Sequence, residues 1–336
     1  MREFAYRRAS DVRDALVAGS TGARYLGGGT NLVDLMKSGV EIPDRLVDVR
    51  RLPLSGIGEL PDGGLSVGAT TTNSDLAAHP EVRRRYPAVS QAVLAGASGQ
   101  LRNMATVGGN LLQRTRCGYF ADVSQPCNKR MPGSGCPALA GEHHNHAVLG
   151  RSQHCAATHP SDLAVALVAF DAVVRYETLD GVGEIPLEAF YPPVGQTPHR
   201  ETALPPGALI TAVLLPGSAL SPRSRYRKVR ERASYAFATV SIAAGLDEAT
   251  GSARIALGGV ASRPWRARTA EAVLRDNPGD RPEAGGRFWD PDLLRAAAEA
   301  ELAAADPLPG NGYKVTLARN LIVAALTTLS REETRR

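Results

Sequence analysis

Aromatic side chains are scarce in this sequence, 5% of 336 residues, and those present are scattered, so no row of rings exists on which successive bases could stack. Charge of one sign is missing as a block. The 39 Lys and Arg are interleaved with 34 Asp and Glu, so the formal +5 reads as a solvated, arginine-rich surface and not as a nucleic-acid-binding stripe. No apolar run approaches the roughly 18 to 20 residues that cross a bilayer, and the opening MREFAYRRAS has no apolar stretch of the secretory kind. The expectation is a globular protein with no nucleic-acid partner and no membrane insertion, cytoplasmic unless carried to the periplasm with a signal-bearing partner. Internal repeats and low-complexity blocks are also missing. Cysteine is rare, four residues in all, but the four are not spread along the chain.

The sequence does have enough apolar residues, 43%, for a sizeable core, and its length favours two or three compact units. Ser10 can cap a helix on which Val12, Ala15 and Leu16 share a face, with Gly19 placed to end it. Strands at 23–26 and 45–49 flank a helical stretch at 32–36, giving a small β-loop-α-β unit over residues 1–54. A second unit over 55–220 reads as a strand at 65–69, helices near 74–78 and 81–96, a cysteine-bearing stretch, a helix at 161–170, and strands at 172–176 and up to residue 215. Residues 217–224 read as a linker. A third unit, 224–332, has strands at 236–245 and 255–260 and a terminal helix with Leu317, Leu321, Ala325 and Leu329 on one face. The fold class is α+β.

Two glycine loops stand out. Gly27-Gly28-Gly29-Thr30-Asn31 follows a strand and opens a helix, a place where backbone N–H groups can cradle a diphosphate, although turn geometry alone also explains such a cluster. Ala105-Thr106-Val107-Gly108-Gly109-Asn110 offers the same parts: small residues, a hydroxyl, and an amide that both donates and accepts. Neither fits G-x-G-x-x-G, which disfavours a nicotinamide Rossmann domain.

Cys117, Cys127, Cys136 and Cys155 fall within 39 residues, at intervals of nine, eight and eighteen intervening residues. That spacing names no ligand set, and two disulfides, a four-thiolate zinc site and a 4Fe-4S cluster all fit it. Arg114, Arg116, Lys129, Arg130 and Arg151 surround the cysteines and could offset an anionic cluster. Five of the seven histidines, His143, His144, His146, His154 and His159, lie in or beside the same stretch; with four cysteines already a closed set, they read as hydrogen-bonding or covering groups.

The segments YLGGGTNLVDLMK, RNMATVGGNLLQ, PSDLAVAL, ALITAVLLP, YRKVRERASYAFATVSIAA and GYKVTLARNLI, in that order, resemble the FAD-binding subunits of the xanthine dehydrogenase and aldehyde oxidoreductase family. The resemblance implies a PCMH-type FAD-binding fold of two α/β subdomains, the second bearing a cysteine-rich insert at 113–160, followed by a CO dehydrogenase flavoprotein-type α+β domain. It implies that Tyr25, Leu26, Gly27, Gly28, Gly29, Thr30, Asn31 and Leu32 form the first diphosphate loop and that Thr106, Gly109 and Asn110 belong to the second. Asp162 would accept from a ribityl or ribose hydroxyl, or cap its helix. Ile210 would pack on the flavin ring, and Lys228 would lie near its pyrimidine end unless it is an ordinary surface lysine. QRTRCGYF, CNKRMPGSGC and HAVLGRSQHCAATHPSDLAVAL resemble the insert of the periplasmic aldehyde oxidoreductase subtype, which implies a 4Fe-4S cluster on the four cysteines. The implied partners are a large molybdenum cofactor-binding subunit and a small 2Fe-2S subunit, as a heterotrimer or its dimer. The implied role is electron transfer through FAD, with no catalytic side chain in this chain. A self-contained flavin oxidase of the vanillyl-alcohol oxidase type and a zinc-stabilised interaction subunit are the alternatives.

Overall fold

A computed structural model of the chain describes residues 1–247, 249–277 and 289–331. Residues 248, 278–288 and 332, part of the expected third unit, lie outside the described residues. Three sheets organise the chain. The first is parallel, order β1-β3-β2, from β1 (Ala5–Arg8), β2 (Arg24–Leu26) and β3 (Arg45–Asp48), connected through α1 (Val12–Ser20) and α2 (Leu32–Lys37). The cap of α1 is Asp11, whose carboxylate accepts from Asp14 N–H, and not Ser10. Gly19 does not end the helix either. It is buried within it because the Tyr25 hydroxyl stands 2.0 Å from where a Cβ would be, and the chain turns at Gly22, whose φ of +88° favours glycine.

The second sheet is antiparallel, order β4-β5-β8-β6-β7, built from β4 (Ile57–Glu59), β5 (Leu65–Gly68), β6 (Val173–Thr178), β7 (Gly181–Pro186) and β8 (Leu209–Leu215). All seven residues of the central β8 are buried, which explains its run LITAVLL, apolar but for Thr211. Between β5 and β6 come α3 (Asn73–Ala78), α4 (Pro80–Arg85), α5 (Pro87–Ala95), α6 (Gly99–Met104), α7 (Val107–Leu111), α8 (Gly118–Ala121) and α9 (Asp162–Ala169); α10 (Leu187–Phe190) follows β7. The single helix expected at 81–96 is two helices. Pro87 has no N–H to continue the first and instead starts the second at its N1 position.

The third sheet, antiparallel β12-β11-β10-β9, comprises β9 (Ser224–Val229), β10 (Val240–Asp247), β11 (Ser252–Gly258) and β12 (Trp265–Arg266), covered by α11 (Arg268–Asp276), α12 (Pro291–Leu302) and α13 (Tyr313–Arg331). The strand expected from residue 236 begins only at Val240, and residues 236–239 instead line a cleft. Helix α9 is apolar all round after Asp162 because it is covered on every side: it packs on α5 in the second unit and on β10 and β11 in the third. Among the described residues no helix is long and apolar enough to cross a membrane.

Candidate functional site

The two glycine loops are packed against each other. A Cβ on Gly28 would lie 1.7 Å from the Met104 carbonyl oxygen, and one on Gly27 would lie 2.7 Å from Thr106 Oγ1, so close backbone approach requires glycine at both. Asn31 completes the join: its Oδ1 accepts from Arg114 N–H at 2.9 Å, while its Nδ2 is buried with no partner among the described residues. A buried, orphaned amide donor in this loop is what a bound oxygen acceptor would satisfy. The second loop is held by backbone bonds from Val107 to Thr71, from Gly108 to Ala69 and from Asn73 to Ala105, and Thr106 Oγ1 accepts from Gly109 N–H. Helices α2 and α7 are only six and five residues long, so their dipoles offer an anion less than the individual N–H groups and the Asn31 amide do.

Asn110 links this pair of loops to the Pro160-Ser161-Asp162 turn, its Oδ1 accepting from Ser161 Oγ at 2.6 Å. Ser161, not Asp162, caps α9, accepting from Ala164 N–H. That frees Asp162, the first residue of α9, for tertiary bonds. Its Oδ1 accepts from the Tyr226 hydroxyl and its Oδ2 from Lys228 Nζ at 2.7 Å. Lys228 is not a surface lysine: its side chain is 4% exposed and donates also to the Ala95 carbonyl. Burial, with Asp162 adjacent, pushes the Tyr226 phenol well above its ordinary value. A small cavity of about 30 Å³ touches Arg116, Ser161, Asp162, Phe237 and Ser241, and shares Arg116 and Phe237 with a wider cleft of about 630 Å³ that reaches Cys117. The Arg116 guanidinium lies over the Phe237 ring at 4.8 Å.

Of the expected flavin-binding residues Asp162 lines this cleft, whereas Tyr25 and Ile210 are turned into cores. Tyr25 turns its ring into the first unit, donating to the Gly207 carbonyl at 2.6 Å, and burial pushes its phenol up to about 12. Ile210 is buried in the core around β8, opposite Tyr176. Leu26 pairs in the first sheet, and Thr30 and Leu32 are half-buried at the start of α2.

All four cysteines are free thiols and line one small cavity, about 10 Å³, with Tyr119, Phe120 and Lys129. Among the described residues no three His, Cys, Asp or Glu side chains converge on one ion position. Backbone N–H groups face the sulfurs. Cys155 donates to Cys136, which, helped by the N–H groups of Ala156, Ala138 and Leu139, drops to about 6 despite partial burial, while Cys155 rises. Burial raises Cys117, opposed by the N–H groups of Phe120 and Tyr119. The surrounding charge is more balanced than the sequence implies: Arg114 pairs with Glu41 and Glu201, Lys129 with Glu201 at 2.7 Å, and Arg151 with Asp306. The histidines serve as packing and hydrogen-bonding groups. His143 accepts from Gly310 N–H, His144 stacks on Tyr313 at 4.5 Å, His159 Nδ1 accepts from Ser161 N–H, His154 lines the cysteine cavity, and His146 Nε2 lies 3.2 Å from Cys117 Sγ. Burial, Lys314 and His143 hold His146 down to about 4, so its imidazole is neutral near pH 7.

Sequence reasoning missed Ser161, Tyr226 and Phe237 as members of this region, and read His146 as a hydrogen-bonding or covering group without naming its partner. For Tyr226 a signal existed: strand alternation puts it on the same face as Lys228. For the others the contacts span 29 to 51 positions or link separate units, and nothing local marks them.

Profiles of two known domains match the chain: the FAD binding domain in molybdopterin dehydrogenase over residues 2–218 and the CO dehydrogenase flavoprotein C-terminal domain over residues 224–329. The chain is 49% identical over 329 residues to the FAD-binding subunit PaoB of an Escherichia coli aldehyde oxidoreductase, covering 97% of this chain and 98% of that one. It is 25% identical to the carbon monoxide dehydrogenase medium chain of Hydrogenophaga pseudoflava, with 96% of each covered. In fold it is similar to chains in the structures of quinoline 2-oxidoreductase from Pseudomonas putida 86 (TM-score 0.73, 22% identity, 98% of each chain) and CO dehydrogenase from Oligotropha carboxidovorans (TM-score 0.73, 23% identity, 99% and 100%).

Proposed function

From the premise that the chain belongs to the FAD-binding subunits of the molybdenum hydroxylases, we propose that it is the flavin subunit of an aldehyde-oxidising complex and holds a 4Fe-4S cluster on Cys117, Cys127, Cys136 and Cys155 close to the FAD. The family makes it an oxidoreductase subunit that binds FAD. The further steps rest on this chain's residues.

The glycine loops fit a diphosphate: a Cβ at Gly27 or Gly28 would collide with the opposing loop, and the orphaned Asn31 Nδ2 supplies a donor. Asp162 lines the adjoining cleft and pairs with the buried Lys228 behind it; the carboxylate can accept from a polyol hydroxyl, and the ammonium can stabilise negative charge on a reduced ring. The observation that carries the cluster reading is the single cavity lined by four free thiols, with backbone N–H groups facing the sulfurs. Such donors stabilise the anionic sulfurs of an iron–sulfur cluster, and thiols spread over a cavity wall suit a polynuclear cluster better than one zinc ion held at a point. When bound, FAD and the cluster supply electron uptake and release; the protein positions them and excludes water. Cys117 lies on the wall shared by the cysteine cavity and the wide cleft, which supports short spacing between the two groups. The proposed partners are a molybdenum cofactor-binding subunit and a 2Fe-2S subunit, matching relatives named as FAD-binding subunits and medium chains.

Anaerobic purification of the full chain followed by metal, sulfide and flavin analysis tests this. The expected result is close to four iron, four sulfide and one FAD, with Cys136→Ser lowering iron while FAD remains in part. Stoichiometric zinc without sulfide would overturn the cluster and leave the FAD reading standing.

A further inference from the structure

His146 lies outside the proposed ligand set, yet its Nε2 sits 3.2 Å from Cys117 Sγ. The ring is buried, and its other nitrogen, Nδ1, is closed off from solvent with no hydrogen-bond partner among the described residues. A Cys117 sulfur that ligates iron is a thiolate with no proton to give. If Nε2 carried only a lone pair, it would face the sulfur's electrons and leave an N–H buried and unpaired at Nδ1. With the proton on Nε2, the same contact is an N–H···S bond and the bare atom is Nδ1. We propose that His146 is a positioning residue of the cluster, donating Nε2–H to Cys117 Sγ and thereby raising the cluster's reduction potential. This deepens the four-cysteine reading and rests on it.

The third unit holds the donor in place. The His146 carbonyl accepts from Lys314 Nζ at 2.9 Å and from Asn311 Nδ2 at 3.3 Å, while its N–H donates to the His143 carbonyl at 2.9 Å. Lys314 and Asn311 are both fully buried, Lys314 in the first turn of α13, and Lys314 Nζ also binds the carbonyls of Asn145 and Gly259. The peptide carrying the imidazole is thus clamped by groups from another part of the fold. Reduction places added negative charge partly on the ligand sulfurs, so a hydrogen-bond donor stabilises the reduced state more than the oxidised one. Of the four cysteines, Cys117 alone also borders the cleft that runs to Asp162, so the donor acts on the ligand facing the proposed flavin pocket.

The test is a redox titration of the full chain, prepared anaerobically and followed by electron paramagnetic resonance, with a search for exchangeable-proton coupling after transfer to deuterium oxide. His146→Phe keeps a ring and removes the donor. Its midpoint should fall by about 59 mV, a tenfold shift for a one-electron couple, with loss of one exchangeable coupling. His146→Gln, whose amide can reach the sulfur, should recover most of both. A His146→Phe chain with full iron and sulfide and an unmoved midpoint overturns the proposal and leaves the cluster intact. If His146→Phe loses its iron, the glutamine variant decides: a midpoint that follows the coupling, both retained or both lost, supports the role, and a wild-type midpoint without the coupling overturns it. A wild-type chain lacking iron and sulfide removes both readings together.

Discussion

Gly28 and Gly109 both belong to glycine-rich loops and carry different constraints. At Gly28 a methyl group would collide with the Met104 carbonyl, a backbone atom that cannot swing aside, so Gly28→Ala must push the two loops apart. Overpacking of this kind costs about 1 to 3 kcal/mol, and Gly28→Ala is expected to lower the urea midpoint by that order and to lose most of its FAD, read as flavin absorbance per chain. Gly109 is exposed and a Cβ there meets only Thr106 Oγ1, so Gly109→Glu should fold normally. It should nevertheless bind FAD at least tenfold more weakly, about 1.4 kcal/mol, because a carboxylate then faces the diphosphate. Unchanged flavin affinity in the folded variant would take this loop out of the site. The sequence marked both glycines as a group, but whether each is constrained by contact or by ligand depends on what lies opposite in space.

At the level of elements, the cysteine-rich segment is fastened by few but strong ties. Glu201, in the loop before β8, bridges Arg114 and Lys129 on either side of the first two cysteines. Burial alone would raise its pKa, but Lys129 and Arg114 outweigh that and hold Glu201 below the usual glutamate range. A carboxylate whose folded pKa is depressed adds stability above its unfolded pKa, near 4.3, and loses it as pH falls through the lower folded value. Wild-type protein should therefore shed the tie below about pH 4.3, whereas Glu201→Gln should be less stable already at pH 7, by about 2 kcal/mol, and show a flatter decline on acidification. Urea unfolding at pH 7 and across the acid range measures both, and equal acid slopes for the two proteins would show that Glu201 contributes nothing. Strands β2, β3, β5, β6, β8, β10 and β11, the glycine loops and the terminal helix were legible from periodicity and punctuation, whereas β1, β4, β7, β9 and β12 were not. The cap of α1 lies one position beyond the expected Ser10, and of the two readings open for Asp162 the cap falls to its neighbour Ser161, because either neighbour has a side chain able to accept and only the local φ and ψ select one.

Across the whole molecule, α9 joins the units: Asp162 at its start binds Tyr226 and Lys228 of β9, and the Val168 carbonyl near its end accepts from buried Arg266 of β12. The proposed flavin pocket therefore draws on all three sheets, and the chain should lose FAD and tertiary structure in one cooperative step on heating, seen as coincident flavin-fluorescence and circular-dichroism transitions. Alone, the chain should oxidise no aldehyde in a dye-reduction assay and should support turnover only with its molybdenum and 2Fe-2S partners; turnover by the lone chain would instead favour a self-contained flavin oxidase. The sequence by itself determined the family, the glycine loops and the clustering of four cysteines, because those are local patterns of residue type that survive without coordinates. Only the tertiary structure decided that Lys228 is buried on Asp162, that the four thiols share one cavity, and that His146 points at Cys117, since each depends on packing between segments 10 to 66 residues apart whose contact no local periodicity records.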